Sequence, residues 1–166
     1  PQLDAQKIGV ILCGDLFATL EERGGLGDVK AVWRSFQQQF KWVAGVAGNH
    51  DYFGDKAKAA HFKQEAGFYL LHQEIRSIDG LAVAGLGGII GNVNKINRLA
   101  EGDYLQALKD LLRQQPDFLL QHQGPDFPMA SLPGHEAIRA VIEASPATLV
   151  FCGHSHWRTA LAQFKN

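Results

Sequence analysis

The sequence predicts a layered α/β domain in which amphipathic helices alternate with short buried strands. Two features of the chain support this fold class. Apolar runs of strand length, bounded by Gly or Asp, recur along the sequence, and the stretches between them carry large apolar residues at helical spacing. A chain of 166 residues is also long enough to bury the core of one such domain.

The first part of the chain is predicted to contain two helices and five strands. The segment after Asp28 is predicted as an amphipathic helix because its large apolar residues recur at helical spacing. Residues 56–66 are predicted as a second helix, which ends at Gly67. Asp79-Gly80 is typical of a hairpin turn between two strands. The five predicted strands cover residues 7–13, 42–47, 68–71, 74–78 and 81–86.

The second part of the chain is predicted to begin with a loop, because residues 85–91 contain four glycines. Leucines at helical spacing after Tyr104 predict a third helix. A fourth helix is expected over residues 133–145, where Pro133 suits the first turn. The predicted strands of this part cover residues 117–121, 147–152 and 159–164.

Charge and hydropathy disfavour several classes of protein. The formal net charge is -1 and no Lys- or Arg-rich run stands out, so a nucleic-acid or membrane partner has no electrostatic support. No apolar stretch has transmembrane length and no secretory signal is visible, which favours a cytoplasmic protein. Cys13 and Cys152 are then expected to be reduced residues of buried strands rather than a disulfide. The sequence indicates no oligomeric state.

Four apolar runs end at polar clusters that could hold a metal ion or exchange protons. In open α/β sheets, ligands bind in the crevice beyond the carboxyl ends of the strands, so these clusters are expected to meet there. Each cluster alone also fits an ordinary polar loop, but their joint occurrence points to a metal-dependent hydrolase. The clusters are Gly14-Asp15, Gly48-Asn49-His50-Asp51, His122 and Gly153-His154-Ser155-His156.

The residue types in these clusters indicate the chemistry. Asn49 offers a carbonyl oxygen to a hard cation, and the neighbours His50 and Asp51 suit an oriented proton donor. On an extended segment, His154 and His156 would point to the same side. Oxygen ligands mixed with imidazoles, without thiolates, favour Mn²⁺, Fe or Zn²⁺ over Ca²⁺ or a cysteine-bound structural zinc. Two ions that share a carboxylate would stabilise in-line attack on phosphorus.

The order of these motifs along the chain resembles that of the calcineurin-like metallophosphoesterase superfamily. The resemblance implies a four-layer αββα sandwich with two divalent metal ions at the strand ends, for which we favour Mn²⁺. It also implies hydrolysis of a small phosphodiester or phosphomonoester by in-line attack of a metal-bridging hydroxide. A phosphate ester is therefore the expected partner, with nucleic acid and membrane disfavoured.

The resemblance assigns a role to each cluster residue by position. Asp15 would be the bridging carboxylate, and His156 would belong to the first metal site. His50 would protonate the leaving group, with Asp51 orienting its ring. The second metal site would be completed by Asn49, His122 and His154.

One family motif is absent from this chain. The superfamily carries an Asp-x-His at the end of its first strand, whereas the only Asp before the first predicted strand is Asp4, followed by Ala5 and Gln6. We therefore expect one domain over residues 1–166 that lacks the first strand through shortening at the N-terminus, with shortening at the C-terminus as a further alternative. The segment alone would then bind metal weakly at the first site.

Two other functions remain open at this level. A non-catalytic protein-binding module on the same fold, with an impaired metal site, would also explain the missing motif. The intact Gly48-Asn49-His50-Asp51 cluster favours the enzyme, since a scaffold needs no proton donor. A nuclease is disfavoured by the lack of a basic surface signal.

Overall fold

A computed structural model describes residues 3–19 and 24–165 of the chain. Two short 3-10 helices are Ala5–Lys7 and Pro128–Ala130. The helices of the described residues are α1 (Lys30–Gln37), α2 (Lys56–Phe62), α3 (Glu101–Leu112) and α4 (Glu136–Glu143). The strands are β1 (Gly9–Leu12), β2 (Gly27–Asp28), β3 (Trp42–Gly45), β4 (Asp51–Tyr52), β5 (Phe68–Leu70), β6 (Glu74–Ile78), β7 (Leu81–Leu86), β8 (Ile89–Ile90), β9 (Arg98–Leu99), β10 (Phe118–Gln123) and β11 (Leu149–Gly153).

Two main sheets form the centre of the fold. The first has the strand order β1-β3-β5, and all its strands are parallel. The second has the order β11-β10-β7-β6 and is parallel except for the β6–β7 hairpin. Short parallel pairs, β2 with β4 and β8 with β9, lie outside these sheets. Parallel sheets of this kind are normally covered on both faces.

Neighbouring residues of the strands show that each sheet is covered on both sides. In β3, Val43 packs with Trp33 of α1, while Ala44 packs with residues of the second sheet. In β10, Leu119 packs under α3 and α4, while Leu120 lies in the cluster between the sheets. Successive strand side chains point to opposite faces, so the layers are helices, sheet, sheet, helices. The predicted αββα sandwich is confirmed.

An aromatic cluster joins the first pair of helices to their sheet. Trp33 of α1 is fully buried, and its ring meets Phe53, Phe62 and Phe68 edge to face at 5.8 to 6.2 Å between centroids. Such pairs contribute about 0.5–1.5 kcal/mol each beyond the burial of apolar area. This cluster fixes α1 and α2 against the sheet that carries two of the predicted site motifs.

The hairpin predicted at Asp79-Gly80 is present between β6 and β7. Both residues have positive φ, 51° and 83°, as a type I′ turn requires. Oδ2 of Asp79 accepts hydrogen bonds from Nζ of Lys41 at 2.7 Å and from Nε1 of Trp42 at 2.8 Å. The turn is thereby tied to the start of β3 in the other sheet.

The glycine-rich segment over residues 85–91, predicted as a loop, is a loop only in part. Gly85 lies inside β7, and a Cβ at this position would overlap the side chain of Leu71. Glycine therefore serves a close approach of two chain segments here rather than a turn. Residues 89–90 form β8, which pairs with β9 across the polar stretch that follows.

Three further predictions are corrected by the structure. The fourth helix begins at Glu136 instead of Pro133, because Pro133 and Gly134 belong to the connection that follows the second 3-10 helix. Residues 159–164 form no strand. His122 lies within β10 and not beyond its end.

A cleft runs along the outer edges of the two sheets. β1 and β11 are edge strands in their sheets, and residues of both line a cavity of about 1390 Å³. Its walls include Ile11 and Phe151, and Asp15 and His154 lie at one side of it. Across the described residues, the helices are too short or too polar for any of them to cross a bilayer.

Candidate metal centre

Three of the predicted ligands lie together at the carboxyl ends of the strands. One ligand atom each from Asp15, His122 and His154 falls within 4.8 Å of the others. Nε2 of His122 lies 3.2 Å from Oδ2 of Asp15 and 3.1 Å from Oδ1 of Asn49. The structure therefore brings together all four residues expected at the second metal site.

Both main sheets contribute to this cluster. Asp15 and Asn49 follow β1 and β3 of the first sheet, while His122 lies in β10 and His154 follows β11 of the second. Asp15 and His154 both have left-handed backbones, with φ of 54° and 59°. Such φ values are uncommon outside glycine, and they turn the chain sharply where each strand ends.

The ring of His122 is held in one orientation. It is fully buried, and its Nδ1 lies 2.6 Å from the carbonyl oxygen of Cys13. A carbonyl only accepts, so Nδ1 carries a hydrogen, and Nε2 is the nitrogen that would offer its lone pair to an ion. Nε2 faces one oxygen each of Asp15 and Asn49. Electron-rich atoms that converge in this way fit a bound divalent cation.

Charge and burial shift two of the pKa values in this cluster. Burial opposes ionisation of Asp15, but hydrogen bonds from His122 and the His50 backbone outweigh it and hold the pKa below its usual range. Burial lowers the pKa of His154, and electrostatic repulsion from His122 acts in the same direction whenever that ring is protonated. A carboxylate beside a neutral imidazole is the protonation state that metal binding requires.

Glycines allow the two loops of the first sheet to approach each other. A Cβ on Gly48 would overlap the carboxylate and backbone nitrogen of Asp15. Gly14 has φ of 84°, and a Cβ there would meet the backbone of Gly48 and the ring of His122. The Gly residues of both motifs are thus required by packing around Asp15.

The comparison with protein families decides the identity of this fold. Residues 4–158 match the profile of the calcineurin-like phosphoesterases. The chain belongs to this family. Its members are metal-dependent phosphoesterases, and the cluster of Asp15, His122 and His154 is a candidate site for their divalent ions. No curated protein matches the chain in sequence.

In this phosphoesterase, Asp51 has a different set of contacts from the one expected. Its fully buried carboxylate accepts backbone N–H groups of Asp15 and Gly48 at Oδ2, at 2.9 and 2.8 Å. Oδ1 accepts those of Leu16 and Phe17, at 2.7 and 3.3 Å. The expectation that it orients the ring of His50 is therefore corrected. His50 lies in a turn, where the side chains of sequence neighbours need not touch.

The ring of His50 is oriented by a backbone carbonyl. Its Nδ1 lies 3.0 Å from the oxygen of Gly25, and its backbone N–H donates to Oδ1 of Asp15 at 3.0 Å. Since the carbonyl accepts, Nδ1 carries a hydrogen, and Nε2 is the nitrogen that remains available for proton transfer. No local pattern in the sequence indicates the contact with Gly25, which lies 25 residues away.

The structure separates His156 from the other ligands. The N–H of Ser155 donates to the oxygen of Gly153 at 2.6 Å, which closes a three-residue turn at His154. The alternation expected of an extended His-x-His segment is therefore broken. His156 is exposed and lines the cleft beside the cluster.

Two nearby residues were missed as site residues by sequence analysis. Nδ2 of Asn97 donates to the carbonyl oxygens of Gly48 and Asp51, at 2.8 and 2.7 Å. Arg98 lies within electrostatic range of His154, where its charge helps to lower the imidazole pKa. No motif in the sequence marks this polar stretch, and its one unusual feature, the positive φ of Asn97, is visible only in the structure.

Proposed function

We propose that this chain hydrolyses a small phosphate ester, with a slight preference for a diester, by means of two divalent metal ions, with Mn²⁺ favoured. The observation that carries the proposal is the convergence of Asp15, Asn49, His122 and His154 on one point. The donor set has no thiolate and mixes oxygens with imidazoles, which suits Mn²⁺, Fe or Zn²⁺.

The residues present fit a divalent ion, and their own contacts define what each would do. Nε2 of His122, a carboxylate oxygen of Asp15 and the amide oxygen of Asn49 would hold the ion, together with His154. A cation bound there supplies Lewis-acid stabilisation of the charge on a phosphoryl group. We assign the second ion to the side of Asp15 that faces the cleft, where His156 is exposed.

His50 is the proposed proton donor. Gly25 holds its Nδ1–H, so the cationic ring would hand a proton through Nε2 to the departing oxygen of the ester. The backbone of His50 is also fixed, because its N–H donates to Asp15. Donor and metal ligand therefore keep a constant relative position.

Positive charge around the cluster supports an anionic substrate. Arg98 lies within electrostatic range of His154, where its positive charge acts against the negative charge of Asp15. No carboxylate among the described residues pairs with Arg98, whose Nη1 donates to the oxygen of Ile96 at 3.1 Å. Its remaining N–H groups suit a phosphate.

The test is turnover of bis(p-nitrophenyl) phosphate and p-nitrophenyl phosphate with added Mn²⁺. We expect hydrolysis that His50→Ala lowers by about 100-fold, as removal of a general acid does. His61→Ala, an exposed histidine on α2, is the matched control and should leave turnover unchanged. Absence of turnover, or equal activity of the two variants, contradicts the proposal.

The second candidate is a protein-binding module with an impaired metal centre. It is favoured by one observation, the exposed position of His156 away from the four clustered ligands. Metal analysis after dialysis separates the two functions. Two ions per chain support the binuclear phosphoesterase, and one or none supports the module.

A further inference from the structure

The loop that carries Asn49 and His50 is closed by a residue from a distant part of the chain. Nδ2 of Asn97, which directly precedes β9, donates to the oxygen of Gly48 at 2.8 Å and to that of Asp51 at 2.7 Å. A single amide nitrogen thus binds the first and last carbonyls of the four-residue segment.

The backbone turn of this segment is closed by a long hydrogen bond, although the Asp51 carboxylate also accepts the N–H of Gly48 at 2.8 Å. The N–H of Asp51 lies 3.4 Å from the oxygen of Gly48, whereas the mode for such bonds is about 2.9–3.0 Å. The two bonds from Asn97 are shorter and pull both carbonyls toward one nitrogen. The side chain of Asn97 therefore supplies the closure that the backbone turn lacks.

Asn97 is itself held firmly. Its φ is 51°, a conformation that Asn tolerates better than most residues, and its carbonyl oxygen accepts from Ile89 at 3.0 Å. Gly88 packs so closely on this carbonyl that a Cβ would overlap it. The N–H of Gly88 in turn donates to the oxygen of Ala47 at 2.7 Å. The amide of Asn97 is consequently presented in one position.

Strands β8 and β9 form a two-stranded ribbon, and this β8–β9 ribbon is also anchored next to His122. The N–H of Ile90 in β8 donates at 2.7 Å to Oε1 of Gln123, the residue that follows His122 in β10. Because β8 pairs with β9, the ribbon binds the Asn49 loop at one end and the His122 strand at the other. It connects the halves of the site that the two sheets contribute.

We infer that Asn97 is a positioning residue, which keeps Asn49 and His50 at a fixed distance from His122. The inference rests on the proposed function, since it takes these three residues as the metal ligands and the proton donor. Residues that orient ligands in this way typically contribute 10–100-fold to metal affinity or activity. Replacement of Asn97 is therefore expected to lower metal affinity and activity while the protein stays folded.

The test compares Asn97→Ala and Asn97→Asp with Asn94→Ala. Aspartate keeps the size of the side chain and tolerates the same backbone conformation, but it cannot donate to two carbonyls. Asn94 is an exposed residue of the same loop and serves as the matched control. Binding of Mn²⁺ is measured by titration calorimetry, and kcat and KM are measured on bis(p-nitrophenyl) phosphate.

For both Asn97 variants we expect a 10–100-fold loss of Mn²⁺ affinity and a similar fall in kcat, with KM changed less than threefold. The urea midpoint should stay close to that of Asn94→Ala. A residue with a merely structural role would lower the midpoint and leave kcat of the folded fraction intact. If the alanine variant does not fold, the aspartate variant decides.

The outcomes distinguish this inference from the proposed function. If the wild type turns over and both Asn97 variants match Asn94→Ala in Mn²⁺ affinity and kcat, the positioning role is overturned. If the wild type binds Mn²⁺ without any turnover and the Asn97 variants bind it 10-fold more weakly, the phosphoesterase proposal fails while the positioning role stands.

Discussion

The backbone N–H of Asp15 donates to Oδ2 of Asp51 at 2.9 Å, so a fully buried carboxylate supports the residue whose own carboxylate opens to the cleft. The two acidic groups have different tasks because their surroundings differ. Asp51 is surrounded by backbone donors and makes the loop rigid. Asp15 retains an oxygen near His122, where a cation would bind. The first prediction concerns this support.

Replacement of Asp51 by Ala should destabilise the fold by about 3–5 kcal/mol, because one buried and three partly buried N–H groups would lose a charged acceptor. The measurement is urea unfolding followed by circular dichroism. Asp110→Ala is the control, because this carboxylate lies on the exposed face of α3. Its loss should lower the free energy of unfolding by less than about 1 kcal/mol. If Asp51→Ala lowers the free energy of unfolding as little as the control does, water must replace the hydrogen bonds of the Asp51 carboxylate.

Gly48→Ala should abolish metal binding at the cluster while Gly102→Ala should not. The new methyl group at position 48 would overlap Asp15, which must move away from His122. At position 102 in α3 a Cβ meets nothing within 4 Å, so alanine should stabilise the helix by up to about 1 kcal/mol. Calorimetric titration with Mn²⁺ checks both variants, and tight binding by Gly48→Ala would contradict the geometry.

Sequence patterns predicted the layers of this fold well because the periodicity of apolar residues reflects burial directly. The alternation of Val43 and Ala44, or of Leu119 and Leu120, between two cores follows from the period of a strand. The last predicted strand, over residues 159–164, was wrong because a short apolar run has no periodicity that distinguishes a strand from a loop.

The motifs predicted which residues lie near the site but not how each one is held. His122, Asn49 and Asp15 converge as expected, since the carboxyl ends of β1 and β3 lie side by side in one sheet and β10 of the other sheet meets them there. The contacts of Asn97 with Gly48 and Asp51 span 49 and 46 residues. Nothing in a local window of sequence encodes such a contact, because it depends on how the β8–β9 ribbon folds back onto the first sheet.

Divalent metal should raise the thermal stability of the protein, and chelation should reverse the effect. A ligand that binds only the native state stabilises it by about 2.7 kcal/mol at a concentration 100 times its Kd. His122→Ala removes the buried Nε2 and should abolish this gain, whereas the exposed His61→Ala should keep it. Differential scanning calorimetry with Mn²⁺ and then EDTA measures the shift. Equal shifts in the two variants would place the metal elsewhere.

Tyr104 should make stability fall at alkaline pH. Burial of this side chain, with a smaller effect of the Cys152 thiol, raises the pKa of the phenol above its ordinary value. A raised folded-state pKa means that the stabilisation is complete below the unfolded pKa of about 10 and is lost as pH rises above it. Between pH 9 and pH 11 the wild type should lose about 1.4 kcal/mol more than Tyr104→Phe.

The Tyr104→Phe variant isolates this titration because it changes little else. The hydroxyl of Tyr104 lies 3.4 Å from the oxygen of Gln123, a long contact whose loss should cost at most about 1 kcal/mol at neutral pH. Urea midpoints of both proteins at pH 7, 9, 10 and 11 give the comparison. Because the phenol can ionise freely only in the unfolded chain, the difference between the two midpoints should shrink or change sign as pH rises. Parallel pH profiles would mean that the phenol also titrates in the folded protein, and that α3 opens to water above pH 10.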